Sequence, residues 1–529
     1  MSACGSSDTK KKTRVDYQGA GDAGQAGAPM GDLGGGGGTG PTGGSATAGE
    51  PSTAGAPMGD LAGAAGEQGA AGAGGGGNVF HGLYVGLTGD DSSGDGSEQA
   101  PFATLSKAAS QAQSGDTIVY LPGTYNLPAT NAAVTLPDGV DLQGSAPGTT
   151  LKTTSGRLLH VVGRTTISDL ELNGFNTAIL ADGSAELRLV DTSCVSCSGG
   201  SGGALELTGN ATGSITTTAG KQLGSGNSLA FVHGMASLAI EGGLLQDFAN
   251  AAFTGNAILR VAEQGKLTVS DLDVEGGSQT AISASDTADV TVSGSTFVLA
   301  APGAVGILVR NQAAFRMQNS DFSFDAGVAS PYECVRSEEN GVGSIELTDV
   351  TLHHCSSGIN STIPGQLSLL RTEIYDNSYA GISLNFGAGG SITITDSKIH
   401  DSGTYGLLAG GGGGGANVID LLVRGSTFKG ASEGMRLQGD LTSTWDLGTL
   451  ADAGGNTIMG TTVGLRSLAP ASDTVTAIGN TWEVTANTNA AGQFAVVGAG
   501  AKLYVTGPAD GGKNYNVGYA STLRLAQNP

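Results

Sequence analysis

Apolar side chains recur at every second position in short runs, and each run is cut by an aspartate, an asparagine or a glycine. Ser391 to Leu407 shows the unit: Ile392 and Ile394 alternate with Thr393 and Thr395, Asp396 breaks the alternation, Ile399 restarts it, and Gly406-Leu407 opens a third run. A period of two marks strands with one face inward, so the unit holds three short strands.

The same grammar returns along the chain. Taking Gly144, Asp169, Asp191, Ala219, Gly242, Asp271, Gly294, Asn319, Asp349, Arg371, Asp396, Gly425, Asn456 and Asn480 as markers, the intervals run from about 22 to about 31 residues, the spacing of a solenoid. Counted from the marker, positions four and two before, three after and about ten after are apolar in coil after coil. Examples are Ile345, Leu347, Leu352 and Ile359; Leu367, Leu369, Ile374 and Ile382; and Ile392, Ile394, Ile399 and Leu407. Stacked coils would turn these into inward ladders, giving an all-β solenoid of about 14 coils whose backbone groups pair with the coils on either side. The markers themselves suit bends, where Asp and Asn side chains bond to nearby backbone.

An open stack exposes apolar side chains at its end, and the sequence supplies a cover. Pro101 at a first helical turn, then Phe102, Leu105, Ala108, Ala109 and Ala112 at helical spacing, with Gly115 after the last turn, predict a short amphipathic capping helix. The strand from Thr117 to Leu121 and the turn at Pro122-Gly123 then start the winding. At the far end the pattern weakens after Asn480, and Trp482, Phe494 and Tyr504 are expected to cover the last coil.

This opening, with its extended Tyr84-Val85, acidic Gly/Ser loop, Pro101-Phe102, Gly115-Asp116-Thr117-Ile118 and Pro122-Gly123-Thr124-Tyr125, resembles the N-terminal segment of bacterial right-handed parallel β-helix proteins of the pectate-lyase-like superfamily. They include a family defined only by this domain and without an assigned function. The match is close over Leu83 to Tyr125, and the coil repeats extend it to about Trp482. The resemblance implies a right-handed parallel β-helix. It does not carry an activity over. Lyases sharing this segment use a lysine base beside an aspartate-bound calcium, for which Lys398 with Asp376 and Asp401 is only an approximate counterpart. The Gly-His-Gly and Asn-Thr-Asp motifs of polygalacturonase-like glycosidases and the Arg-x-Pro-x-x-Arg pattern of pectate lyases are absent.

Composition sharpens this picture. Of 529 residues 92 are glycine, and only 5% are aromatic and 13% charged, so the core is thin and aliphatic and the turns are glycine-rich. A formal charge of −23 opposes nucleic acid and anionic lipid, leaving a neutral glycan, or an anionic one reached through metal ions. No run of apolar residues is long enough to span a membrane as a helix.

Residues 1–18 read as a lipoprotein-like N-terminus: Ser2-Ala3-Cys4-Gly5 resembles the end of a bacterial lipobox, which would make Cys4 the lipidated residue. Residues 19–77 are nearly all Gly, Ala, Ser, Thr and Pro, with the phrase at Ala26 to Leu33 repeated at Ala54 to Leu61, and read as a flexible tether. Cap and helix start occupy 78–143, the coils 144–494 and a closing β element 495–529. An extracytoplasmic monomer on the outer membrane or cell surface is the expectation.

Equal offsets in successive coils become neighbours in space. Four residues past the marker stand His353, Tyr375 and His400; five past stand His354, Asp376 and Asp401. The column could supply a general base and acid, or two imidazoles and a carboxylate for a metal ion; polar residues at a solvated turn would look the same. Arg371, Glu373 and Lys398 could hold a uronic acid carboxylate or form a surface ion-pair ladder. Asp90, Asp91, Asp95 and Glu98 could hold calcium. Cys194 sits at the ladder position of Ile399, where a core thiol is the default and a bond to Cys197 the alternative; Cys334 and Cys355, one coil apart, could also pair. Three functions stay open: non-catalytic binding of a polysaccharide or another surface partner, a lyase or hydrolase acting on acidic glycans, and a structural or adhesive role.

Overall fold

The computed structural model describes residues 82–483, apart from loop stretches of which 249–256 and 411–418 are the longest, and beyond them the strands at 494–496, 502–504, 517–519 and 524–526. Cys4, the tether, most of the glycine run from Gly410, Ala219 and the side chains of Trp482, Phe494 and Tyr504 lie outside the described residues.

Each coil has three faces. In the unit singled out above, Gly390–Thr395 forms a strand of the first face, Lys398–Ser402 of the second and Tyr405–Gly410 of the third. Every strand pairs in parallel with its equivalents in the coils before and after. The first two faces join into a 31-stranded sheet and the third is a 16-stranded sheet. One third-face strand comes from each coil, so the described winding exceeds the expected count of about 14. The markers began at Gly144 and stopped at Asn480, which left out the third-face strands Val134–Leu136 and Val517–Tyr519.

The inward ladders form in the expected register. Ile345, Leu367, Ile392 and Leu421 align on the first face. Leu352, Ile374, Ile399 and Phe428 align on the second, and Ile359, Ile382, Leu407 and Met435 on the third. All twelve are buried, each stabilising the stack by about 1.5–3 kcal/mol relative to exposure.

Most markers are bends because their backbone is left-handed: φ is 57° at Asp169, 53° at Asp271, 48° at Asn319 and 48° at Asp396, a region that Gly, Asn and Asp enter at least cost; Gly144 instead ends the strand Asp141–Gly144 without that turn. Arg371 occupies the same position at φ 47° and is held by a bidentate pair with Asp349 of the preceding coil, both contacts at 2.6 Å. Replacing Asp396 by valine, whose branched Cβ crowds the left-handed backbone, is expected to cost about 1–2 kcal/mol, whereas Asp396→Gly stays within about 0.5 kcal/mol. Urea unfolding of the two variants measures the contrast.

The last two markers are corrected by one residue. Gly455 (φ 64°) and Gly479 (φ 75°) make those bends, and Asn456 and Asn480 follow them in a ladder that runs inside the turn. There the backbone N–H of Ser295 donates to Ser320 Oγ, that of Thr372 to Ser397 Oγ, that of Ser397 to Ser426 Oγ, that of Ser426 to Asn456 Oδ1 and that of Asn456 to Asn480 Oδ1, at 2.9–3.1 Å. The chain turns too sharply there for every backbone N–H to meet a carbonyl of the next coil, and these side chains take up the unpaired donors.

The capping helix spans Leu105–Gln111, with Leu105, Ala108 and Ala109 buried. It starts later than expected because Thr104 is the N-cap, its hydroxyl accepting from the Lys107 N–H. Pro101 therefore precedes the helix, and Phe102 bridges to Val85 instead. Cys194 is not a core thiol: a left-handed residue at Ser196 (φ 52°) curls the strand so that Cys194 and Cys197 approach to a Cα separation of 5.9 Å and bond. Cys334 and Cys355 also form a disulfide. No helix among the described residues is long and apolar enough to cross a membrane.

Candidate functional site

The anticipated column stands on the outside of the second face, where His353, Tyr375 and His400 align in register. Their rings stack in parallel, His353 on Tyr375 at 4.8 Å and Tyr375 on His400 at 5.5 Å, both at 8°. His400 Nε2 lies 3.0 Å from Glu373 Oε1 and its Nδ1 2.9 Å from Asp401 Oδ2; Asp401 in turn accepts from Lys429 at 2.7 Å. Hydrogen bonds from Lys429 and then His400 hold the Asp401 carboxyl below the usual carboxylate range. His353 Nε2 faces Asp321, and its Nδ1 meets His354 Nδ1 at 2.6 Å. Burial pushes the Tyr375 phenol up, helped by the carboxylates of Asp321, Asp376 and Glu373.

The fold therefore brings His353, His354, Tyr375, His400 and Asp401 into one connected group. His354, Asp376 and Asp401 share a second left-handed bend, with φ of 58°, 50° and 49°, at the position Gly174 and Gly276 fill elsewhere. That backbone demand by itself favours Asp at 376 and 401. Both ring nitrogens of His400 face carboxylates within the chain, so that ring turns no free lone pair towards a substrate as a general base must. Lys398 lies 4.0 Å from Glu373, and Arg371 is committed to Asp349. Among the described residues no group of three or more His, Cys, Asp or Glu side chains converges as a metal cage.

The acidic loop serves the turn and the helix start. Asp91 accepts from the Ala103 and Thr104 N–H groups at 2.8 and 3.1 Å and from the Thr104 hydroxyl at 2.7 Å. Asp90 accepts from the Ser92 N–H at 2.7 Å, which with Ser93 holds its carboxyl below the ordinary value.

A second group, on the outside of the third face, escaped the sequence reading. Phe231, Arg260, Ser283, Leu308, Arg336, Asn360, Ser383, Leu408 and Arg436 align in one outward register, a residue per coil, with Leu308, Ser383 and Leu408 themselves buried. At the corner beside it stand Tyr332 and Tyr379, 47% and 43% exposed. The Ser356 N–H donates to the Tyr332 carbonyl and the Tyr379 N–H to that of Ser356, so the two tyrosines are two coils apart, roughly 10 Å.

Tyr379 meets Tyr405 edge to face at 5.7 Å. The Arg436 guanidinium lies 4.6 Å over the Tyr405 ring and is fixed by a bidentate contact with buried Glu433. Between the tyrosines, Asn360 Nδ2 donates to Glu333 Oε1 at 2.8 Å and Arg336 pairs with Glu338 at 2.9 Å. Asn360 Oδ1, Arg336 Nε and Glu333 Oε2 are shielded from solvent without a hydrogen-bond partner. Farther along the same column Arg260 covers Phe231 at 4.3 Å. The signal was present in the residue after each third-face ladder position, which is Asn360 after Ile359 and Ser383 after Ile382.

The gap between coils at Val309, Ile345 and Leu367 is also lined by Ser337, Ser361 and Gln366.

Two families match the sequence. The one described as "Right handed beta helix region" covers residues 256–428, and the "Protein of unknown function (DUF1565)" covers residues 87–191. The fold is a right-handed parallel β-helix. No curated protein matches the sequence.

Solved β-helices resemble it at low identity. A double mutant of the periplasmic alginate epimerase AlgG is 13% identical over 64% of this chain and 77% of its own, with a TM-score of 0.32. Pectate lyase Pel9A is 15% identical over 71% and 82%, with a TM-score of 0.30. The A-module of the Azotobacter vinelandii mannuronan C-5 epimerase AlgE4 is 16% identical over 79% and 91%, with a TM-score of 0.27. These similarities lend the chain neither activity nor substrate.

Proposed function

We propose that this protein binds a polysaccharide along the outer third face, without turning it over. One observation carries the reading: two exposed tyrosines stand two coils apart beside the Arg336, Asn360 and Arg436 side chains of the outer third face. A sugar ring offers an apolar face for stacking and a rim of hydroxyls that both donate and accept. Exposed aromatic rings beside rigid polar groups meet both needs. The coil spacing of roughly 4.8 Å is comparable with one sugar unit, so an extended chain meets equivalent positions repeatedly.

The arginines of this face are matched by Glu333, Glu338 and Glu433, and the chain carries a net charge of −23. A neutral or weakly acidic polysaccharide fits this balance better than a densely charged one. Two disulfides suit an extracytoplasmic setting. Binding rather than turnover is favoured by the second-face His400, whose two nitrogens are held by Glu373 and Asp401.

The test is affinity electrophoresis through neutral and acidic polysaccharides, followed by calorimetry with the best ligand and assays for unsaturated ends and new reducing ends. Tyr332→Ala and Tyr379→Ala are each expected to weaken binding about tenfold, the loss of one ring contact, with unchanged thermal unfolding. Unaltered affinity in the double variant would remove the third face as the binding site. Release of oligosaccharides would replace binding by catalysis.

A further inference from the structure

We propose that His353 and His354 form a bidentate site for a divalent transition-metal ion, Cu(II), Ni(II) or Zn(II), through their Nδ1 atoms. The inference is independent of polysaccharide binding and concerns the opposite set of side chains, on the second face.

The two Nδ1 atoms lie 2.6 Å apart. At most one can carry a proton, because two N–H groups pointed at each other at this distance repel. The pair therefore aims two imidazole nitrogens at a shared point that an ion can occupy. An ion at that point with M–N distances of about 2.0–2.1 Å needs the nitrogens roughly 2.9–3.4 Å apart at bond angles between a right angle and the tetrahedral value. Opening the present contact by less than an ångström is enough, and both residues are only half-buried.

Three features prepare the site. His353 Nε2 stands 3.3 and 3.4 Å from the two carboxylate oxygens of Asp321. A proton on Nε2 satisfies that contact and makes Nδ1 the ligating atom, the carboxylate–histidine pairing that orients metal-bound imidazoles. The His353 ring is fixed on its other side by the Tyr375 ring, parallel at 4.8 Å. His354 has a left-handed backbone (φ 58°), and its ring meets that of His353 at 4.7 Å and 66°. Consecutive residues on a straight strand would point to opposite faces; the bend makes their rings converge. Nearby carboxylates of Asp321, Asp376, Glu373 and Asp401 outnumber the cations of Lys398 and Lys429, which favours a cation.

With no third His, Cys, Asp or Glu converging among the described residues, water completes the coordination. The ion is therefore exchangeable, and imidazole ligation with the usual order of stability makes Cu(II) the tightest and Ni(II) and Zn(II) weaker.

The experiment uses the untagged full chain after treatment with a chelator. Titration with Cu(II), Ni(II) and Zn(II) chlorides by calorimetry is expected to show one site in the micromolar range, with nitrogen hyperfine structure in the Cu(II) electron paramagnetic resonance spectrum. His354→Asn, which keeps a residue tolerant of the left-handed backbone, and His353→Asn should each abolish that site. Asp321→Asn should weaken it about 10–100-fold. His233→Asn, on the third face, should leave it unchanged. Thermal unfolding of each variant separates loss of ligand from loss of fold. Absence of stoichiometric binding, or binding that persists in a folded His353→Asn/His354→Asn double variant, overturns the proposal.

Discussion

Phe322→Ala is expected to lower the unfolding free energy by about 3–5 kcal/mol. Phe322 is fully buried, stacked on Phe297 at 5.8 Å and edge-on to Phe324 at 6.1 Å. Its ring also fills the space a side chain at Gly306 would need, since a Cβ there would meet Phe322 Cζ at 2.2 Å. Glycine at 306 and phenylalanine at 322 are therefore one packing decision. Truncation leaves a cavity between two hydrogen-bonded walls that are unable to close on it, because the coil spacing is set by backbone pairing. Phe322→Leu should lose less than half as much. Hydrogen exchange of neighbouring first-face and second-face amides, together with urea unfolding, reads the effect where it falls, since each coil depends chiefly on its neighbours. A loss below about 1 kcal/mol would mean that the coils collapse around the gap.

Asn456→Ala is expected to cost about 3 kcal/mol. Asn456 is completely buried, and its side chain makes three contacts: Oδ1 accepts from the Ser426 N–H at 2.9 Å, while Nδ2 donates to the carbonyls of Val423 and Leu447, both at 3.1 Å. Alanine leaves the buried Ser426 N–H unpaired and takes one of two donors from each carbonyl, Val423 keeping Arg424 and Leu447 keeping Asn480. Asn456→Ser should recover part of the loss, because serine at the equivalent positions Ser397 and Ser426 accepts from the preceding coil and donates to a carbonyl two residues back. Equilibrium unfolding of the three proteins decides it. If alanine and serine are equally harmful, the loss lies in side-chain volume and not in the ladder.

The coil register was legible because a two-residue period leaves little choice: Ile392, Ile394 and Ile399 must all face one way, and any slip by one residue would expose them together. The bends were legible at Asp169, Asp271 and Asp396 because few residue types enter a left-handed backbone cheaply. They were misplaced at Asn456 and Asn480 because asparagine suits both the bend and the buried ladder beside it, and only the path of the chain separates the two uses. The helix start was misplaced for a related reason. Pro101 is compatible with a first turn, but Asp91 ties down the Ala103 and Thr104 N–H groups from twelve and thirteen residues away, a long-range contact without local trace.

For the candidate sites the balance is different. Equal offsets from the bend placed His353, Tyr375 and His400 in one column, since stacking converts sequence offset into position. Their partners were not written there. Whether His400 is free or held between Glu373 and Asp401, and whether Tyr332 and Tyr379 project from the corner or fold onto it, depends on side-chain directions and on loops of unequal length between the faces.

The sequence by itself determined a parallel stack of three-faced coils with an aliphatic interior and an acidic exterior, because hydrophobic period and backbone handedness are local and repeat in every coil. Only the tertiary structure decided which exterior groups are satisfied and which stay open. Many of those contacts join residues more than twenty positions apart, and a side chain's partners are known only after its neighbours in the adjacent coils are in place.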